Sequence, residues 1–166
     1  ETYRPMSTDM VFDNIQYLTK QRGCTKIYIV DELFFQNKKR IFEICERIKP
    51  LGVKWQVSGR GDSIKETDGA LLTALKEAGC KTIMMGLESG SQTQLKNMNK
   101  KLRLDRAEKG IAMVRSHGIY VAPAFIYGFP GETRETMIES AKWRRKLNFP
   151  GGFFYATPYP GSELYR

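Results

Sequence analysis

The sequence has few of the residues that most often signal chemistry. It holds one histidine, His117, and three cysteines, Cys24, Cys45 and Cys80. The odd count and wide spacing of the cysteines argue against a disulfide framework. They argue equally against a local metal motif, so no metal ligand is assigned within the chain. Three reduced structural thiols are the simplest reading, and they point to the cytoplasm. His117 stands just before Gly118 at a helix end, where the helix dipole accounts for it without catalysis. No apolar run approaches the ~20 residues of a membrane span, and no signal peptide opens the chain. Acidic residues are the minority, 18 against 27 Lys and Arg, for a net charge of +9.

The 166 residues are 41% hydrophobic, which is enough for one globular domain spanning 1–166 with a real core. The sequence opens at Glu1 and stops at Arg166 just past an apolar strand, and is expected to be an internal fragment of a longer protein. The basic residues gather at Lys38, Lys39 and Arg40, at Lys100, Lys101 and Arg103, and at Arg144, Arg145 and Lys146. Each group falls at a helix start, a loop or a helix end, so a solvated face is the default. Nucleic-acid binding is the less favoured use of this charge. An acidic small-molecule substrate or a partner domain would use the same charge.

Helices and strands alternate along the chain. Met10 to Gln21 reads as a helix with Val11, Ile15 and Leu18 on one face. Gly23 follows, then the apolar run Lys26 to Val30. Lys38 to Lys49 is the next helix, with Ile41, Ile44, Cys45 and Ile48 inward and Asn37 as N-cap. Gly52 leads into a strand over Val53 to Val57. Asp68 to Ala78 is helical, with Leu71, Leu72 and Leu75 inward, and Gly79 leads into Thr82 to Met85. A short helix, Ser91 to Met98, and a longer one, Asp105 to Ser116, come before Gly118 and a strand from Ile119 to Tyr127. Thr133 to Leu147 is the last helix, before Gly152 to Ala156. Helix, glycine and apolar strand at such intervals is the α/β signature. Runs without strict alternation imply strands covered on both faces, and so a parallel sheet. About five parallel strands with outer helices fall short of the eight of a full barrel. The expected fold class is therefore α/β, a partial TIM-like (β/α) barrel or an open sheet.

Ligands of such folds bind beyond the C-terminal ends of the strands. Those ends carry Asp31-Glu32, then Ser58 to Asp62, Gly86 to Ser91, Gly128 to Thr133 and Thr157 to Ser162, while the opposite ends carry glycine turns and lysines. Each segment also has a plainer explanation. Ser89 with Gln92 can form a capping box. Glu88 can be a loop carboxylate near a helix N-terminus. Turn chemistry alone explains Pro130 and Gly131. Asp31 and Glu32 point opposite ways on a strand, which makes them poor paired acid–base catalysts. Arg60 with Asp62 can be a local ion pair, or Arg60 can present its planar fork to a carboxylate. No catalytic residue is assigned.

Taken in order, Asp31-Glu32-Leu33-Phe34, Asn37 to Arg40, Arg60 and Asp62, Leu75 to Cys80, Gly86 to Ser91, Gly128 to Thr133 and Ala156 to Gly161 resemble the radical S-adenosylmethionine (SAM) superfamily. The nearest resemblance is to its cobalamin-associated branch, which includes the anaerobic magnesium-protoporphyrin monomethyl ester oxidative cyclases. The resemblance implies a six-stranded partial barrel in which SAM, bound to a [4Fe-4S] cluster, is cleaved reductively to a 5′-deoxyadenosyl radical. It implies an oxidoreductase with a small-molecule substrate, possible cobalamin, and oxidative cyclisation in tetrapyrrole synthesis. Methyl transfer and methylthiolation are the alternatives. By position, Asp31 and Glu32 would face the methionine amino group. Glu88 and Ser89 would contact the ribose or methionine part, and Arg60 would reach the carboxylate. Ile126 and Gly128 would pack on adenine, and the Thr157 and Pro158 backbone would touch it. The family's C-x3-C-x2-C triplet is missing here, so the cluster's ligands are absent from this chain, and the fragment alone is expected to be inactive.

The family's first strand is missing as well. The strand from Ile27 to Val30 would then be a bare apolar edge, open to self-association or to the missing N-terminal part of its own chain. Two other readings compete. A phosphate-binding or aldolase-type barrel needs a phosphate-loop or strand-end lysine that is not found. A non-catalytic, basic RNA-binding α/β module needs exposed aromatics on a basic face. Phe34, Phe35, Phe153, Phe154 and Tyr155 read as strand or core residues instead.

Overall fold

The computed structural model describes residues 4–31 and 33–165. Five parallel strands form one sheet in the order β1-β2-β3-β4-β5. They are β1 (Lys26–Ile29), β2 (Lys54–Arg60), β3 (Cys80–Glu88), β4 (Tyr120–Tyr127) and β5 (Phe154–Tyr155). The helices are α1 (Thr8–Lys20), α2 (Lys38–Ile48), α3 (Gly69–Glu77), α4 (Gln92–Asn97), α5 (Leu104–Ser116) and α6 (Arg134–Lys146). Strand order follows chain order, so each helix crosses over to the next strand and the sheet curls into a half-barrel, as the alternation predicts. Among the described residues, no helix is long and apolar enough to cross a membrane.

The core lies between the helices and the convex face of the sheet. Trp55, Val57, Cys80, Ile83, Met85, Leu87, Val121 and Phe125 point into it from the strands. Ile41, Ile44, Cys45 and Ile48 of α2 and Leu71, Leu72 and Leu75 of α3 meet them, as their helical spacing requires. Trp55 carries the largest side chain here. Its indole N–H donates to the Ala78 carbonyl at 2.8 Å, so its one polar atom is satisfied inside the core.

The helix-ending glycines do what their positions require. Gly23, Gly52, Gly79 and Gly118 all have positive φ, a conformation in which side chains are strained. Gly79 is the tightest, because a Cβ there would collide with the Val53 carbonyl oxygen. Three strands differ most from the sequence reading: β2 starts one residue later and runs on to Arg60, past Val57. β3 runs longer at both ends than Thr82 to Met85, because hydrogen bonding to both neighbours carries the ladder out to Glu88. β5 pairs on one side only and shrinks to two residues. Its aromatics, with those just before it, are exposed rather than core: Phe153 47%, Phe154 58% and Tyr155 72%.

The opposite, concave face is open. Alternate residues Tyr28 of β1, Ser58 of β2 and Met84 of β3 share it. There the Tyr28 hydroxyl lies 2.6 Å from Ser58 Oγ and 3.9 Å from the Met84 sulfur.

Candidate functional site

The C-terminal tips of β2, β3 and β4 stand side by side. Arg60 is in register with Gly86, and Gly86 with Ala124. β3 then leaves the regular ladder: its register slips between Gly86 and Glu88, and Glu88 takes φ 62°. A left-handed backbone at a non-glycine residue is uncommon and is held only by its surroundings. The slip carries the carboxylate back over Gly86, where a Cβ would lie 2.8 Å from Glu88 Oε1. Glycine at 86 therefore keeps the floor clear for that carboxylate. Lys100, from the loop between α4 and α5, donates to Oε1 at 2.6 Å, and the pair is mostly buried, with side chains 15% and 25% exposed. A carboxylate in so sheltered a place needs such a partner. No hydrogen bond reaches Oε2 from the described residues.

The other residues singled out from the sequence fall into three groups. Asp31 is engaged at the tip of β1: it accepts the Leu33 N–H at 2.9 Å and a guanidinium N–H of Arg40 at 3.3 Å. Glu32 lies outside the described residues. Arg60 forms its fork with Asp62, Nε and Nη2 donating to the two carboxylate oxygens at 3.1 and 3.3 Å. That bond, and the charge behind it, raise the Arg60 pKa further above its ordinary value. The ion-pair reading holds, and the side chain remains half exposed beside an open depression lined by Leu33, Phe35 and Gly59.

Ser89 needs correction. It does not cap α4, because Ser91 is the N-cap and accepts from the Gln94 N–H. The Ser89 hydroxyl is buried at 1% exposure, shares a hydrogen bond with Ser140 Oγ at 2.9 Å and accepts from the Ser91 N–H. The hydroxyl is thus engaged with α6 and with the turn that opens α4.

At the end of β4, Ile126 pairs with Phe154 and is half-buried. Gly128 has φ 81° and open space where a Cβ would stand. Its N–H donates to Glu132 Oε2 at 2.5 Å, so the Pro-Gly turn folds back on itself. Thr157 and Pro158 are exposed, and the Thr157 hydroxyl donates to the Tyr155 carbonyl at 3.2 Å. The structure thus brings Arg60, Glu88 and Gly128 to the ends of three adjacent strands, β2, β3 and β4.

The sequence does not reveal the parts played by Lys100 and Ser140. Lys100 falls in a basic group for which a solvated face is the default, and nothing local marks it, because its partner is 12 residues away. Ser140 carries no sequence signal at all.

The cysteines do not form a metal site. Cys45 and Cys80 are buried, and burial pushes each thiol up to about 12. Among the described residues, no three His, Cys, Asp or Glu side chains stand close enough to hold a metal ion.

Comparison with known proteins agrees with this geometry. The model of the family described as the Radical SAM superfamily matches residues 1–144. An uncharacterised methyltransferase of Pyrococcus horikoshii is 32% identical over 99% of this chain and 36% of its own length. An anaerobic magnesium-protoporphyrin IX monomethyl ester cyclase of Rubrivivax gelatinosus is 31% identical over 99% of this chain and 30% of its own length. Among solved structures, the cobalamin-dependent SAM radical enzyme OxsB, with aqua-cobalamin bound, superposes with a TM-score of 0.74 at 24% identity. That match covers 86% of this chain and 23% of OxsB. The chain therefore spans about a third of the length of these curated relatives.

Proposed function

This chain belongs to the radical SAM superfamily, and from that membership we propose that its strand tips form the SAM-binding wall of a radical enzyme acting on a small organic substrate. Glu88 is the observation that carries the reading. It is a strained, sheltered carboxylate with one oxygen neutralised and the other without a protein partner among the described residues. Such a group suits the ammonium or the ribose hydroxyls of SAM, since a carboxylate oxygen accepts strongly from either. Arg60 stands one strand away: Asp62 engages Nε and Nη2, and the remaining guanidinium N–H groups, half exposed, suit the carboxylate of the methionine part. Gly128 leaves open backbone where a flat ring can approach, with Ile126 two residues before it on the same strand. Thr157 and Pro158 add exposed backbone beyond β5.

These residues fit SAM but not its iron–sulfur cluster, because the described residues offer no ligand set for a metal. When bound, SAM and the cluster supply one-electron cleavage chemistry. The chain's own residues bind, orient and wall off the cofactor. Three free thiols accord with a cytoplasmic setting.

Two reaction classes compete. Methyl transfer is supported by the 32% identical relative named a methyltransferase, and oxidative cyclisation by the 31% identical cyclase. Both relatives cover nearly the whole chain, so oxidoreductase chemistry is not favoured over methyl transfer, and cobalamin would serve the methyl-transfer reading. The test is anaerobic reconstitution of the whole protein with cluster, reductant and SAM. S-adenosylhomocysteine and a labelled methyl group on a substrate would establish methyl transfer. 5′-Deoxyadenosine without a transferred methyl group would establish the oxidative route. Failure to bind or cleave SAM would overturn the proposal.

A further inference from the structure

We propose that Lys100 is a positioning residue of this site: by holding Glu88 Oε1 it fixes the carboxylate over Gly86 and leaves Oε2 to the ligand. The inference rests on the SAM-binding reading of Glu88 and deepens it.

Three independent features converge on the pair. First, the Glu88 backbone is left-handed and the ladder slips just before it, so the side chain is not placed by regular strand geometry. An alternative register would turn the carboxylate elsewhere, and something outside the strand has to select this one. Second, the pair is short and sheltered, at 2.6 Å with side chains 15% and 25% exposed. A surface pair of freely moving chains would orient little, whereas a sheltered one strengthens as water is excluded. Third, Gly86 leaves room for it. A Cβ there would stand 2.8 Å from Oε1 and 3.8 Å from the lysine nitrogen, so the pair occupies the space a side chain would need.

The loop that bears Lys100 is itself anchored. The Lys100 N–H donates to the Leu95 carbonyl at 2.8 Å, which ends α4. Gln92 Nε2 donates to the Leu102 carbonyl at 2.9 Å, and Leu102 is buried. The lysine therefore projects from a fixed turn, and its charge is delivered to one oxygen only. A lysine is a compact point charge, so it engages Oε1 without claiming the second oxygen as a bidentate arginine fork does. Loss of Lys100 would leave the Glu88 carboxyl without its partner and free to rotate.

The experiment is a double-mutant cycle read as SAM affinity of the whole, cluster-loaded protein, alongside thermal melting of this chain. Glu88→Gln is expected to weaken SAM binding. Lys100→Met is expected to weaken it about tenfold, as loss of a supporting partner commonly does. In the Glu88→Gln background, Lys100→Met is expected to add nothing, because there is no carboxylate left to place. Lys100→Arg keeps the charge but claims both carboxylate oxygens, so it is expected to leave the affinity as low as Lys100→Met does. If Lys100→Met fails to fold, Lys100→Gln takes its place in the cycle. A Lys100 that only supported the fold would lower melting and weaken binding equally in both backgrounds, and that result overturns the proposal. If Glu88→Gln weakens binding and Lys100→Met does not, the positioning role falls while the SAM reading stands. If Glu88→Gln leaves affinity unchanged, both fall.

Discussion

The hydroxyl of Ser140 on α6 reaches across to the tip of β3, 2.9 Å from Ser89 Oγ, and at 3.0 Å accepts the N–H of Gly90. This small polar joint ties the strand end that carries Glu88 to the helix that follows β4. Both serines are buried, at 1% exposure each.

Ser140→Ala removes the acceptor for a buried backbone N–H, and an unpaired buried donor costs about 1–3 kcal/mol. Gly90→Ala attacks the same joint from the other side. Its Cβ would stand 2.8 Å from both Ser140 Cα and Trp143 Cβ, so α6 would have to move, at a similar cost of about 1–3 kcal/mol for overpacking. Both variants are expected to melt lower by thermal denaturation. Unchanged melting of both would show that the joint carries no strength.

The periodic parts of the fold were legible in sequence because helix and strand periods are local. Ile41, Ile44, Cys45 and Ile48 could be placed inward from spacing alone, and all four are buried. The glycines before the first four strands marked helix ends, and all four have positive φ. The adjacency of the strand tips was legible, because parallel α/β topology gathers those ends at one edge. The pairings were not. The cap that the sequence offers Ser89 as its plainer role is made by Ser91, since two serines two residues apart give the same local signal and only the packing of α6 decides between them. The aromatics around β5 were read as covered, yet coverage depends on neighbours that a two-residue edge strand does not have.

Lys26 and Lys54 are register partners on β1 and β2, both exposed on the concave side. Like charges directly opposed on adjacent strands are destabilising, and an opposite pair contributes about 0.2–1 kcal/mol. Lys54→Glu is therefore expected to raise the melting temperature of the chain, more at low ionic strength than at high. A fall in melting temperature at both salt concentrations would count against the pairing.

Burial holds the Cys45 and Cys80 thiols near pKa 12, up from 9.0, so the folded protein binds both protons more tightly than the unfolded chain does. The sign follows from linkage: the stabilisation is fully present below about pH 9 and is lost as pH rises towards about 12. Chain stability should fall over that window, with a slope of up to about 1.4 kcal/mol per pH unit for each thiol. Replacing both with alanine should flatten the slope, even if stability at neutral pH drops. A thiol reagent at neutral pH should label the half-buried Cys24 first and the other two only on unfolding. Rapid labelling of Cys80 in the native state would contradict its burial.

β1 has β2 as its only strand neighbour among the described residues, so its outer row of backbone donors and acceptors is open. At its end Val30 is 78% exposed, and Tyr28 is 43% exposed. An unprotected apolar edge invites pairing with another strand, and natural edges resist this with charge. Lys26 protects only the start of the strand. Self-association of this chain through β1 is therefore expected, visible as a concentration-dependent shift in size-exclusion chromatography. Val30→Lys places a charge at the unprotected end without entering the core, and it should move the equilibrium towards monomer while leaving the melting temperature of the monomer nearly unchanged. A wild-type chain that elutes as a monomer at high concentration would show that this four-residue strand offers no usable edge.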